Sequence, residues 1–199
     1  MGVVFEVAAD YIKIVALQEV NNKSFDEGGW IEITDAQYFL DKDDGSQNKI
    51  GLEQVISNYA ANYNSISDYP AFDFCNNYSV LSDSSDIHTW YLPAFYLTWN
   101  YYVENAEYQQ DPTKNTGYIP AINELETIVK DTTGEIATAL SQNGSELTSE
   151  RDYWSSTLVT EDTVYSKTAY YLPTKSKVIS QYNVDTACYV RPVKKITLE

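Results

Sequence analysis

The two ends of the chain alternate between apolar and polar residues, and its middle does not. Val3 to Val20 is rich in Val, Ile and Phe around the break Ala8-Ala9-Asp10-Tyr11, which predicts a β-hairpin with Val3 to Val7 as its first strand. Tyr153 to Thr157, Val164 to Leu172, Lys177 to Tyr182 and Cys188 to Ile196 alternate in the same way and are rich in β-branched and aromatic residues, so they read as strands. Strands at both ends around a helical middle predict an α+β domain. Its first and last strands pair, so that the termini come together and Val3 to Val7 shares a sheet with Tyr189 to Val193. A length of 199 residues, 43% of them hydrophobic, fits a single domain over 1–199.

The middle is read from helical spacing and stop signals. Asn21 to Gly51 carries Gly28-Gly29 and Asp41 to Gly45 with little periodicity, and predicts a loop-rich passage. Leu52, Val55, Ile56, Tyr59, Ala60 and Tyr63 then fall on one helical face, and Tyr69 to Tyr78 predicts a second short helix. Ser82 to Asp86 is a polar linker into the densest aromatic stretch, Trp90 to Tyr102. Pro120 is placed in the first turn of a helix through Leu125, Ile128 and Val129, and Glu135 to Leu140 is a further helix stopped by Asn143-Gly144.

Charge and motif content narrow the function classes. A formal charge of −16, from 29 acidic and 13 basic residues, disfavours binding to a phosphate backbone, so nucleic acid is not an expected partner. No apolar run is long enough to cross a membrane, and no export signal is legible. Met1-Gly2 and Leu198-Glu199 read as residues added by cloning, with any native signal or anchor outside them. The lone His88 has no triad around it in sequence, and Asp41-Lys42-Asp43-Asp44-Gly45 lacks the spacing and terminal Glu of a calcium loop and reads as a solvated turn. No catalytic residue, metal or cofactor is predicted. Cys75 and Cys188 are too far apart in sequence for a CxxC or zinc set; they either bridge each other, one on a helix and one on a strand, or remain free buried thiols.

The opening GVVFEV, then YIPAINEL leading into a helix pair, then YWSST and finally CYVRPVKKI occur in an order that resembles the lectin-like domains common among surface proteins of gut Bacteroidetes, including the Fibrobacter succinogenes major paralogous domain. The resemblance runs over Gly117 to Ile196 and Val3 to Leu17. It implies a C-type-lectin-like fold with paired terminal strands, central helices and a late antiparallel sheet. That fold is shared with C-type lectins, formylglycine-generating enzymes and retroelement-diversified receptor-binding proteins. EPN, QPD and WND strings are absent, as is a reactive cysteine-pair motif, so neither a calcium-bridged sugar site nor the oxidising activity is implied. The implied setting is extracellular or at a cell surface, and by analogy with diversified proteins Leu158 to Asp185 would be the variable segment.

Eighteen tyrosines against six phenylalanines favour a ring with a polar tip, suited to surfaces that are apolar on one side and wet on the other. The expectation is a non-enzymatic domain that binds a glycan or protein on another cell, the alternative being a structural or assembly module of a larger surface protein, fimbrial tip or phage fibre. Trp154 is assigned to the core. The ligand-binding candidates are Tyr96, Trp99 and Tyr102 from the aromatic stretch and Tyr165, Tyr170, Ser180 and Tyr182 from the late strands, with Tyr165, Tyr170 and Tyr182 facing outward together.

Overall fold

The structure is a computed structural model that describes residues 2–26, 37–58, 65–78, 117–131, 133–148, 150–159 and 168–197. The described residues form an α+β arrangement of two sheets and four α-helices. In chain order these are β1 (Gly2–Val7), β2 (Tyr11–Ala16), β3 (Val20–Lys23), α1 (Gly45–Asn58), α2 (Pro70–Asn77), α3 (Ile122–Lys130), α4 (Glu135–Gln142), β4 (Asp152–Leu158), β5 (Thr168–Pro173), β6 (Ser180–Asn183), β7 (Cys188–Val190) and β8 (Val193–Thr197).

The predicted hairpin forms as β1 and β2, with Gly2 opposite Ala16 and a register shift between Val4 and Glu6. The last strand joins it, but on the other side of β2: the order is β1-β2-β8, so the first and last strands share a sheet without pairing. Gly2 lies beside Ala16 and Thr197 beside Tyr11, so the two ends stand at opposite ends of β2, about 17 Å apart along the strand at ~3.4 Å per residue. The stretch Cys188 to Ile196, expected as one strand, is two. Proline has no N–H to give a ladder, and at Arg191-Pro192 the chain leaves one sheet for the other while the Pro192 carbonyl accepts from Ala16 N at 2.9 Å. Tyr189 therefore sits in the second sheet, away from Val3 to Val7.

That second sheet has the order β3-β7-β4-β5-β6. It is mixed rather than wholly antiparallel, because β4 and β7 run parallel at Tyr153 and Tyr189. Strand alternation gives it two buried faces. One carries Trp154, Ala169 and Tyr171 against Phe25, Phe39, Leu52, Val55 and Phe72, with α1 and α2 behind. Trp154 is fully buried, as expected, and its indole N–H donates to the Lys23 carbonyl at 2.9 Å. The other face carries Tyr153 and Leu172 under Leu125 and Val129 of α3.

Two helix starts differ from the sequence reading. Helix α1 begins at Gly45, six residues before the Gly51 that looked like a boundary. The Asp41 carboxylate accepts from the N–H groups of Asp43 and Asp44, and Asp44 accepts from Ser46 N at 3.0 Å, so the acidic turn is the helix cap. Its glycines are there for space: a Cβ on Gly45 would stand 2.2 Å from the Ile119 carbonyl oxygen, and one on Gly51 2.0 Å from that of Tyr38. Pro120 lies outside α3, with Ala121 as the cap residue, and its carbonyl accepts from Ser156 N at 2.8 Å. The hydroxyls of the YWSST segment fasten both helix entrances to β4: Asn48 donates to Ser156 Oγ, Thr157 donates to the Asp41 carbonyl, and Ile122 N donates to Thr157 Oγ1.

Candidate functional site

The antiparallel hairpin of β5 and β6 carries three of the predicted ligand-binding residues, and its register decides which of them can act together. Thr168 stands opposite Asn183, Ala169 opposite Tyr182, Tyr170 opposite Gln181 and Tyr171 opposite Ser180. Directly opposed residues share a face and neighbours along a strand do not, so Tyr182 and Ser180 project with Ala169 and Tyr171, whereas Tyr170 projects with Gln181 from the other face. Tyr170 and Tyr182 therefore do not form one outward patch. The remaining predicted contacts, Tyr96, Trp99, Tyr102 and Tyr165, lie outside the described residues, as does His88.

The Tyr182 face turns inward. Its ring stacks on Tyr171 with centroids 3.8 Å apart and planes 4° from parallel, and meets Trp154 edge-on at 6.4 Å. The hydrogen bond to Tyr171 foremost, then burial and the Asp152 carboxylate, 3.4 Å away, raise the Tyr182 phenol well above the ordinary tyrosine range. Both cysteines belong to the same core cluster, Cys75 on α2 and Cys188 on β7, and both are free thiols. Burial, with the Asp152 charge behind it, pushes Cys188 up to about 12, and burial also raises Cys75, so neither is a thiolate nucleophile near neutral pH.

The Tyr170 side is the face that α3 covers at Leu172 and Tyr153, and it opens outward at this edge of the sheet. Tyr170 and Thr168 are half-buried, while Gln181 and Asn183 are exposed. Beside them stands the turn before α1, pinned at three points: Asn123 N donates to the Lys42 carbonyl at 2.8 Å, the Asn123 side chain donates to Asp43 at 2.7 Å, and the Asp41 carbonyl takes the Thr157 hydroxyl. The turn holds the exposed Lys42 ammonium 5.9 Å from the centre of the Tyr170 ring, within cation–π range. Sequence reasoning selected Tyr170 but missed Gln181, Asn183 and Lys42. The β-strand alternation signals the first two once the hairpin register is known; nothing local signals Lys42, which arrives from more than a hundred residues away.

Two ionic clusters, the first buried and the second half-buried, tie the frame together. Glu124, at the third position of α3, accepts from Ala121 N at 2.8 Å, Gly45 N at 3.0 Å, Tyr118 OH at 3.1 Å and Lys13 Nζ at 2.7 Å, which ties α3, α1 and β2 together. Burial alone would depress Lys13, but the hydrogen bond and charge of Glu124, with Glu6 behind them, hold the ammonium above the ordinary lysine range. In the second cluster, Glu19 accepts from Arg151, Arg191 and the Tyr153 hydroxyl, while Arg191 also donates to Ser145 Oγ at 2.6 Å and the Ala16 carbonyl at 3.0 Å. That pins the crossing between the two sheets.

Among the described residues, no three His, Cys, Asp or Glu side chains converge as a metal site would require, and no helix is long and apolar enough to cross a membrane. Compared with known proteins, the chain matches no family model, no curated protein and no solved structure.

Proposed function

We propose that this chain is a non-enzymatic recognition domain of a secreted or surface-displayed protein, with a C-type-lectin-like fold, that binds a glycan or protein through the outward face of the β5–β6 hairpin. The observation that carries the reading is the row of Tyr170, Gln181, Thr168 and Asn183, a half-exposed ring among amide and hydroxyl groups on a hairpin whose reverse face is locked into the core. A rigid platform of this kind meets a ligand with little ordering cost, and its groups both donate and accept hydrogen bonds. The fold reading is supported by the joining of the N-terminal hairpin and the C-terminal strand in one sheet, with the helices and second sheet carried between them. It is further supported by the structural use of the two segments, the YWSST hydroxyls fastening the helix entrances to β4 and Arg191 of VRPV pinning the crossing to β2.

The purified domain, applied to glycan and surface-protein arrays, is expected to retain a ligand. Tyr170→Ala combined with Gln181→Ala should abolish that binding while leaving the melting temperature within a few degrees. Binding untouched by the double replacement, or no ligand on either array, overturns the reading.

A further inference from the structure

Resting on that reading, we infer that the outward face of β5–β6 takes a saccharide bearing a carboxylate, such as a uronic acid. Lys42 supplies the anion-recognising charge, and Tyr170 with Gln181 supplies the sugar platform. The carboxylates beside Lys42 in the turn are all turned to other partners: Asp41 accepts from the Asp43 and Asp44 N–H groups, Asp43 from the Asn123 side chain, and Asp44 from Ser46 and Lys195. Lys42 makes no ion pair among the described residues; its ammonium rests against the Tyr170 ring instead. The pinning of the Lys42 backbone by Asn123 and of its neighbour Asp41 by Thr157 fixes where that side chain starts.

The neighbouring groups select the rest of the ligand. Gln181 and Asn183 project on the Tyr170 face, one beside Tyr170 and the other beside Thr168, and both are exposed. A carboxamide offers a donor and an acceptor side by side, which complements vicinal hydroxyls that are themselves donor and acceptor. The half-exposed ring meets the C–H side of a pyranose where Lys42 leaves it uncovered, and the ammonium over the ring, with three donors, meets an equatorial carboxylate. An acidic peptide can also pair its backbone with the carboxamides; the saccharide is favoured because vicinal hydroxyls meet both carboxamides while the C–H side of the same ring lies on Tyr170.

The test uses the whole chain on a panel of paired oligosaccharides, neutral and uronate-bearing, at low and high salt. The expected result is retention of uronate-bearing members that weakens as salt rises. Lys42→Met should lower their affinity about fivefold, since the pair is exposed and screened, and leave neutral members within about twofold. Lys42→Arg should restore most of the loss, and unchanged melting curves would exclude misfolding. Equal retention of neutral and uronate-bearing members, or indifference to Lys42→Met, overturns the acidic-sugar inference while leaving recognition at Tyr170 intact. Retention of a protein alone overturns it too. Failure to retain any ligand removes both.

Discussion

The Lys13–Glu124 pair gives the sharpest test of how the helices are held to the terminal sheet. Glu124→Gln keeps an acceptor for the Ala121 and Gly45 N–H groups but removes the charge opposite Lys13, whose side chain is only 4% exposed. Stranding one partner of a buried pair costs about 3–5 kcal/mol. Lys13 keeps the Asp43 carbonyl at 2.9 Å and Glu6 at 3.2 Å, so the lower end, about 3 kcal/mol, applies. Lys13→Met leaves Glu124 with three remaining donors, from Ala121, Gly45 and Tyr118, and should cost less, about 2 kcal/mol. With both charges gone, Lys13→Met/Glu124→Gln should be more stable than Glu124→Gln alone, giving a coupling above about 2 kcal/mol. Urea unfolding followed by tryptophan fluorescence and circular dichroism measures all four corners of the cycle. Additive single effects, or a Glu124→Gln variant within about 0.5 kcal/mol of the parent, would refute the argument that this contact is a buried, mutually dependent pair.

Gly51→Ala should lower stability by at least about 1 kcal/mol despite the better helix propensity of alanine, because the new methyl meets the Tyr38 carbonyl; a rise in melting temperature would contradict the close approach. Asp131→Ala removes the acceptor of the Ile136 and Ala137 N–H groups at the start of α4 and should cost about 1 kcal/mol, read as a lower urea midpoint. The Asp44 and Asp131 carboxyls are both held below the ordinary aspartate range. Burial opposes this in each, but Lys195 and Ser46 outweigh it at Asp44, and backbone and Thr133 donors do so at Asp131. A depressed acid contributes stability above its unfolded value, near 3.9, and loses it as pH falls through the folded one. Acid unfolding of Asp131→Ala should accordingly be less steep below about pH 4 than that of the parent, and equal steepness would count against the cap.

Much of the fold was legible because strand alternation is a local signal. The hairpin predicted over Val3 to Val20, which forms over Gly2–Ala16 with Val20 opening β3 in the other sheet, the strand around Trp154 and the burial of Trp154 follow from side-chain parity and apolarity. What escaped depends on contacts far away in sequence. Gly45 and Gly51 look like helix breakers until Ile119 and Tyr38 are seen pressing on them. Cys188 to Ile196 looks continuous until Pro192 is seen to divide two sheets. Parity placed Tyr170 and Tyr182 on definite faces of their own strands, but whether those faces coincide depends on the pairing register across the turn, which set them apart. The candidate site was legible only as tyrosine enrichment; its cation comes from another part of the chain.

The order β1-β2-β8 also fixes how the domain would bear a load. Because β2 is antiparallel to both neighbours, β1 and β8 run the same way, with Gly2 at one end of the sheet and Thr197 at the other. Traction between those two points pulls along the strands, so the ladders on both sides of β2 are strained together in shear instead of opening one rung at a time. A domain tethered at both termini would yield abruptly, at a high force, and not by gradual peeling.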